Sequence, residues 1–173
     1  MVTALKVTSK SVDNTQRKSA QEMLASIQSW QHWDEIGLVV AKEYYVTSKD
    51  FAVALPEYQK FLCLAVMGYE GLGMYSNLVD MLWHGHILTT VLYAEFCTSI
   101  LGKFVHHIPN TAVMVSEEEW KTCRSCRNCS ISCKFCSGGG SGGSKETFIA
   151  AYQAAFGPIS PVWELSQSDG IAC

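Results

Sequence analysis

Charged residues are scarce in this sequence. They make up only 17% of its 173 residues, against about a quarter in typical soluble domains. The 13 basic residues do not outnumber the 16 acidic ones, and the formal net charge is -3. Proteins that bind nucleic acids by neutralising phosphates carry a basic excess. The composition therefore argues against a nucleic-acid partner. The hydrophobic content of 48% is enough to form the core of one domain over residues 1–173.

Two kinds of hydrophobic segment are also missing. No apolar run reaches the roughly 18 residues that a membrane-spanning helix needs, because His84 and His86 interrupt the charge-free stretch near the middle of the chain. Residues 1–18 lack the apolar centre of a secretory signal. We therefore expect no membrane span and a cytoplasmic protein, or an extracellular or particle-associated one if its cysteines form disulfides.

Apolar residues recur at helical spacing along most of the chain, which predicts an all-α protein. The predicted helices cover residues 14–30, residues 34–48 with a cap at Asp34, residues 56–67 with Pro56 in the first turn, a segment after a cap at Ser76, a segment whose buried face runs from Tyr93 to Phe104, a short stretch near Trp120, and residues 144–157 between Ser144 and Gly157. Thr89 and Thr90 are expected to separate the fourth helix from the fifth. The sequence thus predicts a compact bundle of about five to seven helices.

The composition changes sharply at residues 121–143. This stretch reads as a cysteine-rich block followed by a Gly/Ser run, with almost no apolar content. It cannot pack into the core, so we expect a surface lobe inserted before the last helix. A lobe this small and polar needs a crosslink or a metal ion to be ordered.

Five cysteines in this lobe follow the spacing C-x2-C-x2-C-x3-C-x2-C: Cys123, Cys126, Cys129, Cys133 and Cys136. Two C-x2-C pairs can hold a tetrahedral zinc ion. The first four cysteines also match a ferredoxin-type iron-sulfur spacing, although Lys134 stands where proline usually follows. Alternatively the block is paired in disulfides, with Cys173 recruited from the tail, which requires an oxidising compartment and no metal. The lack of a secretory signal favours zinc.

A second candidate metal site draws on one carboxylate and four imidazoles: Asp80, His84, His86, His106 and His107. Neutral imidazole is a ligand for zinc, copper, iron and nickel. On a regular helix the side chains of His84 and His86 point about 200 degrees apart. Both can therefore bind one ion only if Gly85 breaks the helix.

Asp80 and His84 are four residues apart and share a helix face. They can ligate one ion together, or Asp80 can orient His84 through a hydrogen bond. In the alternative without a metal, His86 lies in the core, His84 bonds Asp80, and His106 with His107 forms a polar corner. Acid-base catalysis by these residues is a third possibility.

Two further cysteines, Cys63 and Cys97, lie on apolar helix stripes. A free thiol in such a place usually behaves as a small buried hydrophobe. A nucleophilic role for Cys97 would need a histidine beside it in a cleft.

The central segment resembles the glycine-rich domain-containing protein-like family. The residues that carry the resemblance are Val79-Asp80, Trp83-His84-Gly85-His86-Ile87-Leu88, Tyr93, Cys97, Gly102 and His106-His107-Ile108-Pro109. The later FIAAYQAAFG is similar to that family's final helix, so the resemblance covers about residues 55–110 and 145–160. It implies a small helical domain of largely uncharacterised role, commonly with glycine-rich or cysteine-rich tails, and it implies no reaction. The dense cysteine block departs from the pattern.

Three functions fit these features. We favour a non-catalytic zinc-binding domain that serves as an interaction or structural module, with a protein partner or a second copy as its partner. The first alternative is a metalloenzyme that uses Asp80 and the histidines as ligands. The second is a disulfide-crosslinked assembly protein in which exposed Trp120 and Trp163 tie copies together. Nucleotide binding is not expected, because GYEGLGMYS lacks Walker spacing.

Overall fold

The computed structural model describes residues 14–69, 72–107 and 145–163. Within these ranges the chain forms α-helices and short helical turns and no strand, which confirms the all-α prediction. The α-helices are α1 (Asn14–Gln28), α2 (Trp33–Tyr44), α3 (Ser48–Val66), α4 (Asn77–Leu88), α5 (Thr90–Phe96) and α6 (Lys145–Phe156). A π-helical turn, Cys97–Leu101, continues α5, and a 3-10 turn, Pro161–Trp163, follows α6.

Some expectations lie outside the described residues. They are the helix near Trp120, the cap at Ser144 and the whole cysteine lobe of residues 121–143. Among the helices that are described, none combines the length and the apolar character needed to cross a membrane.

The predicted starts of the second and third helices are wrong. Asp34 lies in the first turn of α2, after a start at Trp33, and is not its cap. Helix α3 begins at Ser48, where Thr47 Oγ1 accepts a hydrogen bond of 3.1 Å from the Asp50 amide. Pro56 therefore lies inside α3. An interior proline costs about 3 kcal/mol, which the burial of apolar side chains such as Phe61 and Leu62, at about 1.5–3 kcal/mol each, offsets.

Other helix ends confirm the predictions. Ser76 caps α4 by accepting a 3.3 Å hydrogen bond from the Val79 amide. Thr89 separates α4 from α5. Gly157 follows α6 with a φ of 89°, a left-handed conformation that suits glycine.

The fifth helix is shorter than its apolar pattern predicts. The π-helical turn ends at Leu101, and Gly102 reverses the chain with a φ of 70°. Phe104 therefore leaves the buried face and is 51% exposed. The four residues that follow Lys103 belong to no helix or strand and pass over α5 and α4.

The helices pack around one core that contains side chains from every described helix. Helix α4 lies between α2 and α3, and α6 packs on α1 and α3. Gly85 lies at the crossing of α4 with α2, where an added Cβ would collide with Val40. Glycine thus lets the two helices approach closely, and α4 continues through it without a break.

Trp163 is buried, which contradicts the expectation that it is exposed and joins copies. Its Nε1 donates to Glu57 Oε2 over 2.7 Å, and the Tyr152 hydroxyl donates to the same oxygen over 2.7 Å. Lys60 donates to Glu57 Oε1 over 2.8 Å. This buried network attaches α6 and the 3-10 turn to α3.

Candidate metal site

Asp80, His84 and His107 converge at the surface of α4. Asp80 lies in the first turn of that helix and His84 one turn later, so their side chains share a face. His107 comes from the irregular segment that follows the π-helical turn. One donor atom from each residue lies within 4.8 Å of the other two.

The carboxylate of Asp80 faces both imidazoles. His107 Nε2 lies 3.1 Å from Asp80 Oδ1, and His84 Nε2 lies 3.9 Å from Asp80 Oδ2. The ring centroids of the two histidines are 4.5 Å apart. Each carboxylate oxygen therefore faces a different imidazole, and both imidazoles direct Nε2 toward the same side chain.

These spacings are close to those of a zinc site. Zinc bonds of about 2.0–2.2 Å to nitrogen and oxygen place tetrahedral donors roughly 3.4 Å apart. The two distances to Asp80, 3.1 and 3.9 Å, lie on either side of that value. One donor atom of each residue lies within 4.8 Å of the other two, so the donors would move closer together to surround one ion.

The site is partly open to solvent. The side chain of His84 is 40% exposed, that of Asp80 31%, and that of His107 18%. An ion can therefore enter from water, and three protein ligands leave a fourth position for water or for another donor.

Aromatic rings limit the movement of both imidazoles. The Trp83 ring packs edge-on against His107 with centroids 4.5 Å apart. The Tyr44 ring lies 6.2 Å from that of His84. Each imidazole thus contacts an aromatic ring, one on α2 and one on α4.

His86 does not join this cluster, which corrects the five-residue set. Because α4 continues through Gly85, His86 points to the opposite side of the helix and is fully buried. The centroids of four aromatic rings lie within 5.4 Å of its own: Trp30, Trp33, Tyr93 and Phe96. Its Nδ1 lies 3.0 Å from the Tyr58 hydroxyl, and its Nε2 has no hydrogen-bond partner among the described residues.

Burial lowers the pKa of His86 to about 3, because the apolar surroundings penalise the charged imidazolium. The ring is therefore neutral at physiological pH. His86 packs in the core and cannot reach an ion bound by His84.

His106 also lies apart from the cluster. It is exposed, and its ring packs 4.8 Å from that of Phe104. Although it adjoins His107, the two rings have different neighbours, so only His107 reaches Asp80.

The two cysteines predicted to be buried are buried, as expected. Cys97 begins the π-helical turn and has no exposed surface. The Cys63 thiol donates to the Ala20 carbonyl over 3.3 Å, and burial raises its pKa to about 12. Cys63 therefore stays protonated and is a poor nucleophile. The five cysteines of the lobe, Cys123, Cys126, Cys129, Cys133 and Cys136, lie outside the described residues.

Two buried polar groups were not predicted from the sequence. The Tyr93 hydroxyl accepts a 3.1 Å hydrogen bond from Trp83 Nε1 and donates to the Val105 carbonyl. The buried Glu57 is the second, and it accepts hydrogen bonds from Tyr152 and Trp163 away from the site. Helical periodicity places Tyr93 on a buried face, but it carries no signal for a bond to a carbonyl twelve residues away.

Comparison with known proteins gives a family and no activity. No curated protein and no solved structure matches the chain. The model of an uncharacterised family matches residues 22–135, a range that contains Asp80, His84, His107 and the first four cysteines of the lobe. The resemblance to the glycine-rich domain-containing family is not tested by this match and stays a prediction. Because the match spans more than half of the sequence, the chain belongs to the UCP032817-like family.

Proposed function

We propose that this protein is a helical metal-binding domain that holds one zinc ion through Asp80, His84 and His107. The observation that carries the proposal is the convergence of two imidazole nitrogens and one carboxylate on the surface of α4. Two separate chain segments supply them, and the Nε2 atoms of both histidines face the same carboxylate.

The donor set favours a transition metal. Imidazole nitrogen suits zinc, copper, iron and nickel, whereas calcium and magnesium prefer sets made of oxygen alone. Two neutral histidines and one carboxylate would leave a zinc site with one positive charge. In the metal-free state a hydrogen bond joins His107 Nε2 and Asp80 Oδ1. If Nε2 is the donor, its proton must leave or move to Nδ1 when the metal binds.

The role that we propose for the ion is non-catalytic. It would fix the irregular segment of residues 104–107 to α4 and present its open position to a donor from a protein partner or from a second copy. The surface exposure of His84 and Asp80 supports such an accessible position. A second zinc ion bound by the cysteine lobe is a separate prediction, which the site on α4 does not require.

A metal-dependent hydrolase is the second candidate. The observation in its favour is the same open position, because catalytic zinc sites have three protein ligands and a water molecule whose pKa falls to about 7. In this case the ligands are Asp80, His84 and His107, without His86 and His106. The disulfide-linked assembly protein loses one of its supports, since Trp163 is buried.

A zinc competition titration against a chromophoric chelator tests the proposal. The protein carries serine at the five lobe cysteines, which removes any ion bound there, and is compared with the same protein bearing His84→Ala or His107→Ala. We expect one zinc ion per chain in the parent and affinity reduced by at least about 100-fold in either variant, as for the loss of a ligand.

His106→Ala is the matched control, because it removes an exposed imidazole next to a proposed ligand. It should leave the affinity unchanged. Zinc binding that is equal in His84→Ala and His106→Ala, or a parent that binds no zinc at micromolar concentrations, would reduce the cluster to a polar surface corner. Hydrolysis of ester or phosphoester probes that requires zinc and His84 would instead support the hydrolase.

A further inference from the structure

We infer that the buried hydroxyl of Tyr93 is the positioning group of this site, holding the segment that carries His107 against α4 before an ion binds. The expected effect of Tyr93 on metal affinity rests on the proposed function. Its structural content concerns the metal-free protein and can be tested separately.

One hydroxyl joins the two parts of the site. Tyr93 lies on α5 and is almost fully buried. Its hydroxyl accepts from Trp83 Nε1 over 3.1 Å and donates to the Val105 carbonyl. Trp83 immediately precedes His84 on α4, and Val105 lies two residues before His107. The phenol thus connects the helix that supplies Asp80 and His84 with the segment that supplies His107.

The segment needs such an anchor. Gly102 reverses the chain in a left-handed conformation after the π-helical turn. The residues from Phe104 to His107 then belong to no helix or strand, so no regular ladder of backbone hydrogen bonds holds them. Buried polar groups are nearly always paired, and here the Tyr93 hydroxyl satisfies a carbonyl of the segment and an indole of the helix at once.

Packing adds a second restraint in the same place. The Trp83 ring that donates to Tyr93 also contacts the His107 ring, with centroids 4.5 Å apart. A hydrogen bond that fixes the Trp83 indole therefore also fixes a ring surface against which His107 packs. Loss of the Tyr93 hydroxyl would remove the hydrogen bonds to the Val105 carbonyl and to the Trp83 indole together. Asp80 and His84 would keep their places on α4.

Tyr93→Phe tests the inference, with Tyr152→Phe as the matched control. Both tyrosines are buried, and each hydroxyl donates one hydrogen bond and accepts another. Tyr152 bonds Glu57 and Lys60, away from the site. Both variants should lose similar stability, so a purely structural effect would appear in both.

The probe is Co²⁺ alone, titrated into the protein with serine at the five lobe cysteines. We expect Tyr93→Phe to bind it about 10–100-fold more weakly, as when a group supporting a ligand is removed. Its ligand-field spectrum should approach that of His107→Ala. Tyr152→Phe should match the parent in affinity and spectrum. Equal affinities in the parent and Tyr93→Phe, or equal weakening in both tyrosine variants, would overturn the inference.

An NMR experiment on the metal-free protein separates this inference from the proposed function. If the parent binds no Co²⁺, the proposed function fails, but the positioning still predicts ring contacts between His107 and Trp83 in the parent and in Tyr152→Phe. These contacts should disappear in Tyr93→Phe, and their retention would overturn the inference. Should Tyr93→Phe not fold, the parent must still show a Tyr93 hydroxyl proton that exchanges slowly and contacts the Trp83 indole proton. A rapidly exchanging proton would contradict the inference.

Discussion

His84 and His86 lie two residues apart on α4 and yet have opposite surroundings. His84 is 40% exposed and faces Asp80 and His107, whereas His86 is fully buried among aromatic rings. Helical geometry separates them by about 200 degrees, because α4 continues unbroken through Gly85. The comparison teaches that spacing in a His-x-His motif does not by itself make two ligands. Direction and solvent access decide which imidazole is available to an ion.

The first prediction is that His86 contributes to the stability of the fold and does not contribute to metal binding. His86→Ala should lower the free energy of unfolding by about 3 kcal/mol, because it leaves a cavity among the rings and removes the partner of the Tyr58 hydroxyl. Urea unfolding at pH 7 measures the change. The zinc affinity of the folded fraction should stay that of the parent, and a loss of less than about 0.5 kcal/mol would remove His86 from the core.

The second prediction is a loss of stability in acid that depends on His86. Its pKa is about 3 in the folded protein and near 6.5 in the unfolded chain. The unfolded state therefore binds the proton more readily, so the contribution of His86 is complete above pH 6.5 and declines as the pH falls toward 3.

Between pH 7 and pH 5 this loss should reach about 2 kcal/mol. Urea unfolding of the metal-free protein at both pH values measures it. His84→Ala should keep the decline and His86→Ala should lack that part of it. The same decline in the parent and in His86→Ala would show that other groups cause it.

Third, Gly85→Ala should destabilise the packing of α4 against α2, at a position between the two histidines. Glycine to alanine in a helix usually stabilises by up to about 1 kcal/mol. Here the added Cβ collides with Val40, and we expect a net loss of about 1–2 kcal/mol by overpacking. In a double-mutant cycle, Val40→Ala should cost less in the Gly85→Ala background than alone. Additive losses would mean that the two residues do not meet.

The smallest effect on stability is expected at His84. Its imidazole is partly exposed and lies 3.9 Å from Asp80, so His84→Ala should change the free energy of unfolding by no more than about 0.5 kcal/mol. Thermal unfolding in excess chelator measures this. The same experiment with zinc, on proteins with serine at the five lobe cysteines, should stabilise the parent and leave His84→Ala unchanged. Equal stabilisation of both proteins by zinc would contradict a role for His84.

The features that the sequence predicts correctly are those that depend on local interactions. The cap at Ser76 and the shared face of Asp80 and His84 depend on neighbours within one or two turns, and both were predicted correctly. The start of α3 was not, because the cap at Thr47 and the buried face beyond it outweigh the helix-start signal of Pro56.

Non-local contacts account for the other differences. The meeting of His107 with Asp80 depends on the chain reversal at Gly102 and on the bond from Tyr93 to Val105. The burial of Trp163 likewise depends on Glu57, more than a hundred residues earlier in the chain. Neither pairing produces a periodic signal, so the sequence offered the candidate ligands without distinguishing His107 from His106.

The central claim is that Asp80, His84 and His107 bind one zinc ion. The most direct test is an anomalous difference map at the zinc absorption edge, from crystals of the protein with serine at the five lobe cysteines, prepared with one equivalent of zinc. The account predicts a peak about 2.0–2.2 Å from one donor atom of each of these three residues, with none beside His86. Well-ordered density for the three side chains without such a peak would contradict it.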